Sequence, residues 1–468
     1  MTVTADRYTP PSPGSKIIVV GGGCFGLSTA YALALKKQYQ ITVFDRQPIP
    51  SPDAASTDIN KIVRMDYAND TLYMHLAVEA FGLWDQWNKE RAKKNLEPVF
   101  HQNGVLLLSG KDKLSDFERN SIRNIREAGY GHFIEEYKCP EEIIERFPAF
   151  EKAVKKGYNT GYLNKAGGWC NSSEAVKHIY NKCIEEGVQF VIGEQKGCLD
   201  KVHCDTKNPN TVVGIKTKDG QTHYGDLVLL TTGSWTAGLV DMHNQVVATG
   251  QQVIHFQPPE NLRRLWEKLP VWLGDISNTG FYGFPCNADG KLKVGRHHSG
   301  YLHPRVEDQV SVPRTQVTNA TDTIPISTLR EFREFLDHFL PETTNLDITF
   351  ARMCWYSDSI DGDFVIGPHP QFKNMIVACG DSGHAMKFIP VIGFKIREIV
   401  EGRDTEYSHA WAWRNMDAKD TKLDGIRADS LLQRVVLCEP NNDEARMATE
   451  GEFKAHYFSS LAPQKSKL

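Results

Sequence analysis

An α/β domain built on a parallel sheet, coupled to an α+β domain with a mainly antiparallel sheet, is the fold class that this 468-residue sequence predicts. Three observations carry the expectation. The chain is longer than one hydrophobic core usually serves, so two connected domains are expected. The run Lys16-Ile17-Ile18-Val19-Val20 ends directly in Gly21-Gly22-Gly23-Cys24-Phe25-Gly26, and an Ala/Leu-rich helical stretch follows over Leu27 to Leu35, which makes one strand–turn–helix unit. Gln245 to Phe256 and Phe281 to Val294 read as long strands of a different region, in which antiparallel pairing is expected.

The glycines of the first unit have separate tasks. Gly21 allows the tight turn, Gly23 lets backbone approach a pyrophosphate, and Gly26 permits close packing of helix on strand. Gln40 to Phe44 forms the next strand and closes on Asp45, where a carboxylate would grip a ribose hydroxyl. A dinucleotide site follows, with NAD and FAD both open at this stage and a purely structural turn as the bland alternative.

Leu72 to Trp87 carries apolar residues at helical spacing, and Gln102 to Leu108 reads as a strand with a turn at Asn103-Gly104. Ser172 or Ser173 is expected to cap a helix to Glu186 that stops at Gly187, with a strand over Val188 to Ile192. Thr211 to Lys216 and Thr222 to Leu230 flank Asp219-Gly220 as a hairpin, and the second strand ends in Thr231-Thr232-Gly233-Ser234, where a glycine again admits backbone to the dinucleotide. Thr328 to Phe339 is an amphipathic helix ended by Pro341. Phe372 to Ala378 is a last buried strand leading into Gly380-Asp381-Ser382-Gly383, with a closing helix over His384 to Val400. The sheet domain is therefore discontinuous: 1–98, 166–240 and 362–402 form the dinucleotide domain, 99–165 and 241–361 the catalytic domain, and 403–468 a surface-wrapping tail.

Composition narrows the partners. With 54 basic and 58 acidic side chains there is no general field for capturing nucleic acid or an anionic membrane. No apolar run approaches the roughly 18 residues of a membrane span, and the polar start Met1 to Ser15 lacks a secretory core. Ten cysteines show no CxxC pair, so neither a zinc site nor a disulfide framework is expected and no metal is assigned. The final Ser466-Lys467-Leu468 matches a peroxisomal address, which implies a peroxisomal location and an import receptor as partner.

Four ordered motifs resemble the monomeric sarcosine oxidase family of FAD-dependent amine oxidases, in particular its fungal pipecolate/saccharopine oxidase and fructosyl-amine oxidase (amadoriase) branch. They are Asp53-Ala54-Ala55-Ser56-Thr57-Asp58-Ile59-Asn60-Lys61-Ile62-Val63-Arg64, Tyr282-Gly283-Phe284-Pro285 with Lys293-Val294-Gly295-Arg296-His297, Cys354-Trp355-Tyr356, and Gly380-Asp381-Ser382-Gly383-His384 with Lys387. The resemblance covers roughly Ile17 to Val400 and implies a Rossmann-like FAD-binding domain with the catalytic sheet over the flavin face.

By the same resemblance, Cys354 is the residue that attaches FAD covalently; without the motif, a thiol between Met353 and Trp355 reads as core. Lys293 matches the lysine that promotes reaction with oxygen, a role that fits the need to stabilise negative charge in a poorly solvated site. Arg64 and Lys387 match the pair that holds the substrate carboxylate, and Tyr282, Tyr356 and His297 match pocket residues. Arg46, Ser56, Thr57, Lys61, Gly233, Gly380, Gly383 and Lys387 are implied as further cofactor contacts. Lys61 stands where bacterial members have arginine, and Trp355 replaces a smaller side chain. The chemistry implied is hydride transfer from the carbon beside a neutral amine to flavin N5, giving an imine, with oxygen reduced to hydrogen peroxide. Pipecolate, saccharopine, sarcosine and other N-methyl amino acids are the expected substrates of a monomeric enzyme. The rivals are a fructosyl-amine oxidase, a tailoring oxidase that traps its imine internally, a dehydrogenase with another electron acceptor, and a non-catalytic dinucleotide module.

Overall fold

A computed structural model of the chain describes residues 8–110, 113–415, 435–439 and 441–458. Its six-stranded sheet runs in the order Val365–Pro368, Met375–Cys379, Leu227–Leu230, Lys16–Val20, Gln40–Asp45, Gln189–Ile192. Every pair is parallel except the edge pair Val365–Pro368 with Met375–Cys379. Both faces are covered, which is why the first strand is a continuous apolar run. Ile17 and Val19 point into a core with the Cys24–Ala34, Ser172–Glu185 and Ile392–Val400 helices. Ile18 and Val20 point the other way, against Leu199, Val212 and Ile215 of a small three-stranded sheet.

A second, ten-stranded sheet is centred on two long strands, Val246–Phe256 and Ile348–Ser359, paired antiparallel over almost their whole length. It is antiparallel throughout except where Val271–Gly274 meets Val105–Ser109 and where Val435–Val436 meets Tyr301–Leu302. The Ile326–Phe339 helix packs Phe332, Phe335, Leu336 and Phe339 on one face, against Trp272, Phe281, Leu292 and Val294. Strand alternation then turns Tyr282 and Lys293 to the opposite face. Likewise Met353 and Trp355 lie on the helix side, so Arg352, Cys354 and Tyr356 share the face that looks toward the first domain.

Several expected elements differ. Phe281 to Val294 is a hairpin, Phe281–Gly283 and Leu292–Arg296, because Pro285 removes a ladder donor and Asn287 closes a turn, its carbonyl accepting from Gly290 N at 2.8 Å. Thr222 to Leu230 breaks at Gly225: Thr222–Tyr224 stays in the small sheet while Leu227–Leu230 joins the parallel one. His384 to Val400 is interrupted at Pro390, leaving a 3-10 turn Met386–Phe388 before the Ile392–Val400 helix. The cap of the Ser172–Glu185 helix is Asn171, whose side chain accepts from Glu174 N at 3.1 Å. Ser172 and Ser173 instead donate to the Asp58 carbonyl, at 2.9 and 2.8 Å. Part of the tail is woven into the ten-stranded sheet through Val435–Val436, with Leu437, Ala448 and Phe453 buried beneath. No described helix is long and apolar enough to cross a membrane. Ser466-Lys467-Leu468 lies outside the described residues.

Candidate FAD and amine site

A cavity of about 500 Å³ opens at the carboxyl ends of the parallel strands, where open α/β sheets place their ligands. Gly21, with φ +107°, sits at its start, and a Cβ there would lie 2.5 Å from the Thr231 carbonyl oxygen. A Cβ on Gly26 would lie 1.9 Å from the Gly21 carbonyl oxygen, so the Cys24–Ala34 helix can press onto the turn only with glycine there. Its first turn, with free backbone N–H groups, faces the cavity beside Gly23, an arrangement suited to phosphate. Asp45 Oδ2 accepts from Gly22 N at 2.7 Å and Oδ1 from Gln47 N at 2.9 Å, which leaves each oxygen capacity for a hydroxyl. Arg46 pairs with Asp53 at 2.8 Å and lies 4.3 Å over the Trp235 ring. Ser56, Lys61, Gly233, Tyr356, Asp381 and Gly383 line the rest. A glycine cradle, a helix N-terminus and a ribose-height carboxylate along one channel fit FAD.

Gly26, Thr57 and Gly380 do not line this cavity. Gly380 has φ +74° behind it, and Thr57 turns its carbonyl to Arg352 at 2.6 Å.

Behind Lys61, which lines the cavity, stands a buried charge cluster. Lys293 is 0% exposed. Its Nζ donates to Asp58 Oδ2 at 2.7 Å and to the Asn60 carbonyl at 2.8 Å, 5.0 Å over the Phe284 ring. Burial pulls Lys293 down to about 8 even with Asp58 beside it. Arg352 and Lys61 also approach Asp58 Oδ2, at 3.3 and 3.5 Å. Burial alone would raise Asp58, but Lys293, Arg352 and Lys61 hold it well below the usual carboxylate range. Lys61 Nζ reaches Cys354 Sγ at 3.6 Å, and burial opposes its charge while Cys354 and Asp58 push its pKa up. Cys354 itself is 2% exposed and is not part of the cavity wall.

Arg64 and Lys387 flank one ring, that of Tyr67, at 5.4 and 5.2 Å. Lys387 donates to Tyr67 Oη at 2.9 Å and to the His384 carbonyl at 2.8 Å. Burial, then the Arg64 charge, drives its pKa well below that of a free lysine. Arg64 Nη1 is buried with no hydrogen-bond partner among the described residues, a donor waiting for an acceptor. Tyr282 and Tyr356 lie beside one another, and burial raises both, Tyr282 to about 12. The His297 ring is 6.2 Å from that of Tyr356.

Sequence reasoning gave no role to Tyr67, Asp58, Arg352 or His255, nor to cavity residues Cys198, Leu199, Asp200, Lys218 and Arg305. Asp58 lay inside a quoted motif; the others carry no spacing signal. Among the described residues no cluster of three metal-ligating side chains occurs.

The family model for FAD dependent oxidoreductases matches residues 16–399. The chain is 31% identical over 425 residues to an L-saccharopine oxidase of Schizosaccharomyces pombe, covering 88% of this chain and 96% of that one. It is 26% identical over 393 residues to the peroxisomal sarcosine oxidase of Homo sapiens, covering 82% and 91%. Among solved structures, a modified fructosyl peptide oxidase from Aspergillus nidulans superposes with TM-score 0.79 at 30% identity, covering 89% and 97%.

Proposed function

The chain belongs to the FAD dependent oxidoreductase family, and on that premise we propose that it oxidises the C–N bond of a small, carboxylate-bearing secondary amine. The observation that carries this reading is the pair Arg64 and Lys387 around Tyr67, with Arg64 Nη1 buried and unpartnered. A buried cationic donor of this kind suits an anion, and an amino-acid carboxylate supplies one. The similarity to oxidases of saccharopine, sarcosine and N-methyl-L-tryptophan, all of them secondary amino acids, supports the same class.

Bound in this cavity, FAD would supply the hydride acceptor and the route by which electrons reach oxygen. The chain's part is to bind, orient and exclude water. Arg64 and Lys387 fix the carboxylate, and Tyr282 and Tyr356, whose hydroxyls stay protonated through neutral pH, close the pocket against the sheet. Lys293 presents positive charge where oxygen gains electrons. Cys354, beside the Lys61 ammonium at 3.6 Å, is the residue that would hold the cofactor covalently.

One experiment tests both halves. Purified protein is denatured in acid and centrifuged: yellow colour stays with the pellet and moves to the supernatant in Cys354→Ala. Peroxide is then assayed against pipecolate, saccharopine, sarcosine, N-methyl amino acids and fructosyl-glycine. Turnover of the first group ahead of fructosyl-glycine is expected. The opposite ranking would establish the second reading, a fructosyl-amine oxidase, which the match to fructosyl peptide oxidase supports. Protein that takes up no FAD overturns both.

The name of the human relative, a peroxisomal enzyme, supports reading Ser466-Lys467-Leu468 as an address for peroxisomal import. The dinucleotide domain is assigned to 1–98, 166–240 and 362–402, the catalytic domain to 99–165 and 241–361, and the working unit to a monomer.

A further inference from the structure

Asp58 has an environment that its place in the amino-acid sequence does not announce. Its carboxylate, 3% exposed, faces Lys293, Arg352 and Lys61 at 2.7, 3.3 and 3.5 Å; Asp53 also acts on Arg352 and Asp381 on Lys61, whereas among the described residues only Asp58 pairs with Lys293. On its other oxygen it accepts from Ile59 N at 2.8 Å, with His255 Nε2 4.0 Å away. Its own backbone carbonyl is pinned by Ser172 and Ser173 at the start of the Ser172–Glu185 helix, which fixes the segment that carries the carboxylate among the three cations. Arg352 and His255 come from the two long paired strands, Lys293 from the hairpin, and Lys61 from three residues along.

The charge balance decides what this carboxylate does. Three cations in one buried volume repel one another, and the easiest relief is loss of the most labile proton. Arg352 keeps its charge, and Lys61 has Asp381 as a second carboxylate within reach of its charge. Lys293, the most deeply buried and with a backbone carbonyl and an aromatic ring as its other neighbours, is the cation that depends on Asp58. His255 cannot take over the pairing, because burial drives its pKa down to about 3 and it stays neutral. Tyr282 and Cys170 also face the cluster, and burial holds both up near 12, so neither adds an anion.

We propose that Asp58 is the positioning residue of the oxygen half of the cycle, keeping Lys293 protonated and pointed at the place where oxygen is reduced. The inference rests on the reading of Lys293 given above. In that reading the lysine is the group that faces the reacting atoms; Asp58 acts through it, by charge and by direction.

The test uses holoenzyme reduced with stoichiometric dithionite and mixed with air-saturated buffer across a pH series, with the return of flavin absorbance timed. This readout needs no knowledge of the amine. In the parent enzyme the reoxidation rate falls as pH rises through about 8, as the Lys293 ammonium is lost. In Asp58→Asn the midpoint drops by about one to two units, and at pH near 8 the rate falls roughly fivefold to fiftyfold. Lys293→Met is slow at every pH and has no midpoint in this range. If Lys293→Met reoxidises like the parent, the role given to Lys293 fails. If Lys293→Met is slow but Asp58→Asn keeps the parent midpoint and rate, the lysine stands and Asp58 is overturned. A lower melting temperature for Asp58→Asn with an unmoved midpoint is a structural role only, and also overturns the proposal. Should Asp58→Asn hold no FAD, Asp58→Glu replaces it: with the charge retained its midpoint stays within about half a unit of the parent, and a larger fall sinks the assignment.

Discussion

Lys387 shows how far a residue's charge depends on what is bound beside it. Buried next to Arg64, its pKa lies well below the ordinary lysine value, and a carboxylate placed against the pair would raise it again. Between those two values one proton enters with each ligand. Titration calorimetry of a carboxylate ligand in two buffers of different ionisation enthalpy is expected to give different heats, and Lys387→Met to give equal ones. Equal heats in the parent would mean that Lys387 is already charged before binding. The sign also sets the pH dependence: KM rises as pH climbs toward the restored value, since the proton must then be taken from a more basic solution. Identity of these residues was legible in the motifs, because Lys387, Arg64 and Lys293 each sit in a quoted segment. Their charge states were not. The partner that decides Lys293 lies 235 residues away in the chain, and no spacing rule connects them.

Among elements, the first strand, turn and helix were the most legible, because three demands fall on adjacent residues. Gly21 is the strictest: it needs positive φ and has no room for a Cβ against Thr231. Gly21→Ala is expected to lose FAD on purification and to be destabilised by roughly 1–3 kcal/mol from backbone strain alone, read as a lowered denaturation midpoint and a colourless preparation. A yellow, stable variant would place the turn elsewhere. Strands with one covered face and clear alternation were found to within a few residues. Three elements were read too long, Phe281 to Val294, Thr222 to Leu230 and His384 to Val400, and each breaks at a Pro or Gly inside an apolar run. Local pattern sees the run; which sheet each half joins is settled by distant partners. Gly225 separates a strand bound to the small sheet from one bound to the large, and nothing within nine residues says so.

For the whole molecule, the division into a parallel and an antiparallel sheet was readable, whereas the fate of the tail was not. Its weak periodicity hides a short strand and three buried apolar residues, Leu437, Ala448 and Phe453, that finish the core under the ten-stranded sheet. Arg333 ties the segment down, donating to the Phe453 carbonyl at 2.8 Å. Truncation after residue 434 is therefore expected to lower the melting temperature, since burying a phenylalanine side chain alone contributes about 1.5–3 kcal/mol. Removal of only Ser466-Lys467-Leu468 should leave stability untouched and move a fluorescent fusion out of peroxisomes. If both truncations melt like the parent, the packing of the tail contributes nothing.

The interleaving of the parallel sheet also fixes a timetable. Val20 lies between Phe44 and Leu230, and Leu230 in turn against Val377, so the glycine turn made first cannot be walled in until the last strand has left the ribosome. At roughly 5–20 residues per second that interval is on the order of 20–70 s. Throughout it the newborn amino-terminal strand must be sheltered from pairing with the wrong edge, and cofactor capture is among the final events of the protein's manufacture.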